Sequence, residues 1–342
     1  MKIRSKAPLR LGIAGGGTDV SPYSDIYGGC VLNATINMYA HTYLDDEVEG
    51  NKLYLEAMDL GVVEVIDLDQ PFNISGKLIL HKAVYLKLMN DYNDGRMVPL
   101  KITTHSDAPP GSGLGSSSTM VVSILEALRN YLSIPLGEYE IALLAYNIER
   151  NDCQLSGGKQ DQYAATFGGF NFMEFNADNH VVINPLRIRR YIINELEASL
   201  ILYFTGASRD SARIIDEQMK SIASDQHLRL EGMHQVKASA YKIKEHLFKV
   251  DINKMASEFH TAWLAKKSTS SSISNKMIDD IEEKVFAAGA KSMKVSGAGG
   301  GGFIMIFIEP EKRLTLEREL ANFDGHIQKF QFTDEGAYSW NI

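Results

Sequence analysis

The chain has 342 residues, 44% hydrophobic and 23% charged, ordinary proportions for a globular protein and enough length for two cores. Its 35 Lys and Arg against 43 Asp and Glu give a net charge of −8 with no basic block, which argues against nucleic acid as a partner. The two cysteines, Cys30 and Cys153, cannot form a disulfide framework and fit a reducing, cytoplasmic setting, while no window approaches the roughly 18 apolar residues of a membrane span.

Met1-Lys-Ile-Arg-Ser-Lys6 leads straight into strand-like sequence, without the apolar core of a secretory leader. Val31–Ile36, Val62–Leu68 and Leu100–Thr104 are short, rich in β-branched residues and bounded by turn residues, which predicts strands. The next stretch, Asp107-Ala-Pro-Pro-Gly-Ser-Gly-Leu-Gly-Ser-Ser-Ser-Thr119, runs into a helical pattern over Met120–Leu132. Its glycines allow tight bends and close approach of backbone N–H groups to a ligand, and its serines add hydroxyls. The helix that follows offers its positive dipole end, so the combination predicts an anion site, with phosphate the expected ligand.

Helical spacing continues over Glu138–Arg150, where Ile141, Leu144, Ala145 and Ile148 form one stripe and Glu149 sits at its edge. A carboxylate there is partly buried and needs a cation or hydrogen bonds to stay ionised. Phe170–Phe175 and Val181–Pro185 read as a hairpin around Asn176-Ala-Asp-Asn179, and Leu200–Phe204 as a further strand. From Arg209 to about Ala288 the pattern is helical, with breaks near residues 225, 250 and 270. The chain then reads as strand (Ser292–Ser296), glycine loop, strand (Phe303–Ile308), helix (Glu311–Asn322) and strand (Ile327–Phe332). Without a regular strand–helix–strand beat this predicts an α+β protein, divided near residue 195 into domains spanning 1–195 and 196–342.

Several phosphate loops are excluded. The string G-x-x-x-x-G-K-[ST] is absent, and neither HRD nor DFG occurs. The dinucleotide pattern G-x-G-x-x-G appears once, at Gly297, Gly299 and Gly302, but the strand-like Phe303–Ile308 follows it where a helix is required.

Pro109-Pro-Gly-Ser-Gly-Leu-Gly-Ser-Ser117 resembles the ATP loop of the GHMP kinases, the family of galactokinase, homoserine kinase, mevalonate kinase and phosphomevalonate kinase. Ala7-Pro-Leu-Arg-Leu-Gly-Ile-Ala-Gly-Gly-Gly-Thr-Asp19 looks like the family's substrate motif, and Lys294-Val-Ser-Gly-Ala-Gly-Gly-Gly-Gly-Phe303 like its third, glycine-rich motif. The resemblance implies a ribosomal-S5-like N-terminal domain, a ferredoxin-like C-terminal domain and an active site between them. It assigns Pro109, Gly111, Ser112, Gly113, Leu114, Gly115, Ser116, Ser117 and Ser118 to the phosphates of ATP, with Ser117 also a ligand of Mg²⁺. Glu149 lies twelve residues before Asp161, the separation that galactokinase-type members keep between a Mg²⁺-ligating Glu and the catalytic Asp. Asp161 follows Ser156-Gly-Gly-Lys-Gln160 and precedes Gln162, and Gly158-Lys-Gln-Asp-Gln162 resembles the G-x-x-D-Q part of the family's C-G-x-x-D-Q pattern, without its Cys. Arg10 aligns with the basic residue beside that Asp, and Asp19 with a carboxylate that holds sugar hydroxyls.

Where galactokinases carry a Glu-His pair this chain has Gly16-Gly17, an exchange that suits an anionic acceptor. Gly16, Gly17, Thr18, Asp19, Lys159 and Arg209 are therefore expected at the acceptor, with Lys159 and Arg209 adding positive charge. Gly299, Gly300 and Gly301 are expected to close over it from the second domain. Gly15-Gly-Gly-Thr-Asp19, the run from Gly158 to Gly169 and Thr205-Gly-Ala-Ser-Arg-Asp-Ser-Ala212 together look like the heptose 7-phosphate kinase branch of the family. That branch phosphorylates an anomeric hydroxyl on the way to nucleotide-activated heptose for bacterial surface polysaccharide. The implied activity is an ATP- and Mg²⁺-dependent sugar 1-kinase with a small-molecule phosphosugar as acceptor. Two alternatives stand beside it: a fucose- or galactose-type 1-kinase acting on an unphosphorylated sugar, and a non-catalytic ATP- and sugar-binding sensor.

Overall fold

The structure, a computed structural model, describes residues 1–206, 214–215 and 226–342. Its frame is a long antiparallel pair, β1 (Lys2–Ala14) and β2 (Gly29–Asp45), with the short helix α1 (Tyr23–Tyr27) between them. In β1 the first residues alternate, with Ile3 and Ser5 buried between more exposed Lys2, Arg4 and Lys6, while every residue from Ala7 to Ala14 is buried. The alternation marks a sheet with one wet face, and its loss marks where both faces become covered.

β2 is long enough to change partners along its length. Its first half pairs with β6 (Phe170–Phe175) and its second half with β5 (Leu100–Ser106). Adding β3 (Lys52–Ala57), β4 (Val62–Asp67), β7 (Val181–Pro185) and β12 (Tyr338–Asn341) gives an 8-stranded sheet, antiparallel except where β3 runs parallel to β5. One face is covered by α2 (Ile79–Tyr92), α3 (Ser116–Tyr131) and α4 (Glu138–Asn147), whose Val84, Leu88, Val121, Ile124, Leu128 and Ile141 share a core with Ile3, Leu44, Leu55 and Ile102. α5 (Gln160–Phe167) packs beside α3 and α4.

After α6 (Arg190–Ser199) comes a second, antiparallel 4-stranded sheet in the order β11–β8–β10–β9, formed by β8 (Leu200–Phe204), β9 (Ser292–Val295), β10 (Phe303–Phe307) and β11 (His326–Gln328). Among the described residues, α7 (Gln226–Phe248), α8 (Ile252–Thr269) and α9 (Lys276–Ala287) lie between β8 and β9, and α10 (Arg313–Leu320) lies between β10 and β11. Strands β8 and β10 are uninterrupted apolar runs because both faces are buried. Ile201, Tyr203, Ile304 and Ile306 face Trp263, Ile278, Ile281 and Leu316. On the other face Leu200, Leu202, Phe303, Met305 and Phe307 join Leu9, Leu11 and Ile13 of β1 in a core that runs between the two sheets.

Several elements differ from the pattern in the sequence. α3 begins at Ser116, four residues before the predicted start, so the last serines of the Gly/Ser run form its first turn. The helix expected to reach Arg150 ends at Asn147 and continues as a π-helical turn over Ile148–Asp152. Of the strand expected over Ile327–Phe332 only His326–Gln328 forms, with Phe332 making an isolated bridge to Ile36. The helical break expected near 225 lies outside the described residues. Beyond the expected boundary at 195, β12 pairs with β1, so the last strand of the chain joins the first sheet. Unsatisfied β1 N–H and C=O groups at that edge accept a partner from anywhere in the chain, and local sequence carries no sign of it. Among the described residues no helix is long and apolar enough to cross a membrane.

Candidate active site

The Gly/Ser loop is stitched into the protein from both sides. Gly111, Gly113 and Gly115 have φ of 73°, 87° and 79°, the left-handed region that favours glycine. The Arg10 amide donates to the Leu114 carbonyl at 3.1 Å, and the Phe303 amide to the Ser112 carbonyl at 2.8 Å. Ser296 Oγ donates to the Gly113 carbonyl at 2.8 Å, so the loop touches the third glycine motif directly. At its end Gly115 caps α3, and the first-turn amides of Ser116, Ser117 and Ser118 have no side-chain cap. Uncapped amides at the positive end of a helix suit phosphate oxygens.

Next to this loop lies a cleft of about 380 Å³, lined by Gly111, Gly113, Gly115 and Ser116–Ser118 on one wall and by Arg10, Gly17, Asp19, Gln160 and Asp161 on another. Asp161 stands in the first turn of α5 with one oxygen immobilised: Arg10 Nε donates to Oδ1 at 2.6 Å, and Nη2 of the same guanidinium lies 2.6 Å from that oxygen in the ion pair. Arg10 Nη1 donates to the Gly113 carbonyl at 2.7 Å, so one guanidinium joins carboxylate and phosphate loop. Asp161 Oδ2 has no hydrogen-bond partner among the described residues and lies beside Gly115, where a Cβ would meet it at 3.3 Å.

Glu149 is 1% exposed yet lines the same cleft. The π-helical turn carries it there. Cys153 N–H reaches back five residues to the Ile148 carbonyl at 2.9 Å, a wider turn that rotates the following side chains away from the α-helical stripe. Ser117 Oγ donates to Glu149 Oε1 at 3.2 Å, and Gln162 Nε2 donates to Glu149 Oε2 and, at 3.1 Å, to Ser118 Oγ. The nearest cation among the described residues, the Arg150 guanidinium, is 4.0 Å away. A buried carboxylate beside a serine hydroxyl, without a close counter-charge, is a donor set that fits Mg²⁺, which takes one or two protein oxygens and keeps several waters.

Other expected site residues serve the scaffold. Asp19, 1% exposed, accepts N–H groups from Gly17 at 3.0 Å, from the Gln160 amide at 3.1 Å and from Gln160 Nε2 at 3.1 Å. It therefore pins the glycine turn to the start of α5 while keeping an edge on the cleft, and the Gly17 amide is already used. Thr18 is fully buried and donates to the Gly15 and Cys30 carbonyls at 2.8 and 2.9 Å. Gly16 does not line the cleft, and among the prolines it is Pro110 rather than Pro109 that does. Ser112 and Leu114 are fully buried beneath the loop.

Lys159, expected at the acceptor, is not among the described residues that line this cleft. Its side chain is buried away from the cleft, with the ammonium 3.7 Å from Asp25 on α1 and 5.7 Å from the Tyr146 ring centroid. Position two residues before Asp161 says nothing about direction, and at the start of α5 successive side chains diverge by about 100°. Gly299, Gly300 and Gly301 also miss the cleft: the Gly300 amide donates to the Ile273 carbonyl at 2.8 Å, and Asn275 Nδ2 donates to the Gly300 carbonyl at 3.0 Å. Gly297 and Ala298 line it instead. Arg209 lies outside the described residues.

Two cations of the cleft went unrecognised in the sequence. Arg150 donates to the Leu155 and Gly158 carbonyls at 3.1 and 3.2 Å, shaping the turn before α5. Lys266 reaches in from α8 and donates to the Gly297 carbonyl at 2.6 Å. Burial holds its ammonium down, to a pKa of about 8, with the Arg10 charge adding to the effect and Asp19 opposing it. A signal did exist: Met255, Phe259, Ala262, Trp263 and Lys266 fall on one buried helical stripe, and a lysine on such a stripe is unusual.

The metal assignment makes a quantitative expectation. Were Ser117 and Glu149 to hold one Mg²⁺ ion, Ser117→Ala and Glu149→Gln would each raise the Mg²⁺ concentration needed for half-maximal rate, with less than additive effects on kcat in the double variant. Titrating Mg²⁺ against initial rate in the four proteins checks this; full additivity with unchanged Mg²⁺ dependence removes Glu149 from the metal.

Models of the GHMP kinases N terminal domain and the GHMP kinases C terminal domain match residues 79–169 and 247–324. The chain is 44% identical over 340 residues to the D-glycero-alpha-D-manno-heptose 7-phosphate kinase of Campylobacter jejuni, covering 99% of both chains. It is also 44% identical to a crystal structure of a D-glycero-D-manno-heptose 1-phosphate kinase from Bacteriodes thetaiotaomicron, with a TM-score of 0.84 and 99% of both chains covered. A mevalonate kinase at 19% identity, with a TM-score of 0.77 over 97% of this chain and 99% of that one, shares the fold. With both domain models matched and full-length identity at this level, the chain belongs to the GHMP kinase family and is a phosphotransferase.

Proposed function

We propose that this kinase transfers the γ-phosphoryl group of ATP to the anomeric (C1) hydroxyl of D-glycero-D-manno-heptose 7-phosphate, yielding the 1,7-bisphosphate. The observation that carries the chemistry is the half-committed Asp161 carboxylate: Oδ1 held by Arg10 at 2.6 Å, Oδ2 open, in one cleft with the phosphate loop and Glu149. The named substrate of the 44%-identical relative supports the acceptor.

The step follows from these positions. The amides of the Gly111–Ser118 segment hold the ATP phosphates. The acceptor hydroxyl donates to Asp161 Oδ2, and as the C1 oxygen bonds to the γ-phosphorus its proton passes to that oxygen. The bond from the γ-phosphorus to the β–γ bridging oxygen breaks, and ADP leaves. Phosphoryl transfer has a loose transition state, so alignment and charge neutralisation matter more than base strength. A carboxylate is therefore adequate, and the Arg10 guanidinium fixes its direction toward the loop. When bound between Ser117 and Glu149, Mg²⁺ supplies neutralisation of charge on the phosphates. Asp19 and Gln160 keep the start of α5 in register with the loop. We assign the reaction to the cytoplasm, where ATP and the phosphosugar are both available, and to the supply of nucleotide-activated heptose for surface polysaccharide.

ATP consumption with a panel of acceptors tests this reading. The 7-phosphorylated heptose is expected to exceed the unphosphorylated heptose, fucose and galactose in kcat/KM by about 10- to 10³-fold, the worth of one or two charge-assisted hydrogen bonds. Equal efficiency on phosphorylated and unphosphorylated sugars refutes it and favours a fucose- or galactose-type kinase.

A further inference from the structure

Among the described residues three cations line the cleft: Arg10, Arg150 and Lys266. Arg10 is spent on Asp161 and the Gly113 carbonyl, and the two Nη atoms of Arg150 on the Leu155 and Gly158 carbonyls. Lys266 differs. It is 6% exposed, and its ammonium, with three N–H donors, has one acceptor among the described residues, the Gly297 carbonyl. No carboxylate lies within ion-pair distance of it among those residues. The charged groups that face it are Arg10 and Asp19 at the first sheet and Lys294 on β9. Asp19 already accepts three N–H bonds, and the Lys294 ammonium is turned onto the Gly12 and Ile13 carbonyls at 2.8 and 3.0 Å. Burying an ammonium beside the Arg10 guanidinium, with donors left over, is costly unless an anion arrives to use them.

We infer that Lys266 receives a phosphate oxygen of the reactants, delivered to the cleft from α8 across the join between the two sheets. The inference rests on the kinase reading above and adds a residue to it. Two sources share this chemistry: the phosphate already on the acceptor and the phosphoryl group in transfer. Because burial holds the free ammonium near pKa 8, anion binding through it is complete below that pH and lost above it.

Lys266→Met and Lys266→Arg, measured against wild type between about pH 6.5 and 9.5, test it. Lys266→Met is expected to lower kcat/KM for the phosphorylated heptose by about 10- to 10²-fold at neutral pH and to lose the alkaline limb near pH 8. Lys266→Arg is expected to retain more activity and to move that limb upward, since arginine stays charged. A loss confined to the phosphorylated acceptor identifies the acceptor's own phosphate. An equal fall in kcat on both sugars identifies the transferred group. Wild-type kcat/KM with an intact limb in Lys266→Met overturns the inference. A second readout needs no turnover, and so separates this inference from the choice of sugar. Inorganic phosphate is expected to raise the Tm of wild type more below pH 8 than above it, and Lys266→Met to lack that pH-dependent part. The same pH-dependent rise in both proteins overturns the inference even if no heptose is a substrate.

Discussion

Asp161→Asn is expected to lower kcat by about 10²–10⁴-fold while leaving ATP binding intact. The substitution is close to isosteric, and its amide oxygen can still accept the Arg10 Nε bond that now reaches Oδ1 at 2.6 Å. That places the amide nitrogen where Oδ2 stands beside Gly115. An N–H donor there faces the acceptor hydroxyl and cannot take its proton, so the fold and the loop survive while the proton loses its destination. Nucleotide affinity by calorimetry and turnover by ADP release separate the two effects. A variant retaining more than a tenth of wild-type kcat means that the proton goes directly to the γ-phosphate and that Asp161 only positions the hydroxyl.

The second large effect is expected at the contact between loop and glycine motif. Gly113 has a φ of 87°, and a Cβ added there would lie 2.5 Å from the Ser296 carbonyl oxygen. Its own carbonyl accepts from Arg10 Nη1 at 2.7 Å and from Ser296 Oγ at 2.8 Å. Gly113→Ala thus adds about 1–2 kcal/mol of left-handed strain and pushes the loop off Ser296, moving Arg10 with it. Since misplacement by about 1 Å can cost 10²-fold in rate, kcat/KM is expected to fall by at least that factor, with a raised KM for ATP and a lower Tm. Gly297→Ala acts on the same contact, its Cβ meeting Gly113 Cα at 2.8 Å, so the double variant should be less than additive. Gly61→Ala is the control: its φ is 61° but nothing lies within 4 Å, so stability falls by the strain alone and kinetics stay unchanged. Kinetics of Gly113→Ala that match this control would remove the loop contact from the active site.

The order of elements was largely legible because it depends on local pattern. Alternation and apolar runs mark β5, β6, β8 and β10; helical stripes mark α3, α4 and α8. The Gly/Ser run announced an anion loop through composition, since only glycine adopts φ near +80° without cost at three alternate positions. Resemblance to the galactokinase-type members, which keep a twelve-residue interval between these positions, gave Glu149 and Asp161 as metal and base candidates, and the structure brings both to one cleft.

What the sequence alone determined about this protein is thus a set of short-range facts: which segments are helical or extended, where the backbone must turn, and which residue types an anion loop offers. Tertiary structure decided where side chains point and which distant segments meet. It turned Lys159 toward Asp25, bound Asp19 into the turn it braces, and widened the turn at Ile148 so that Glu149 faces the cleft. It also returned the C-terminus to β1 and placed Lys266, from a helix far along the chain, against Gly297 and the cleft. The physical reason is range. Backbone propensity and periodicity act over a few residues, whereas the direction of a buried charge is fixed by whichever carbonyls, carboxylates and empty space the packing of two sheets leaves around it.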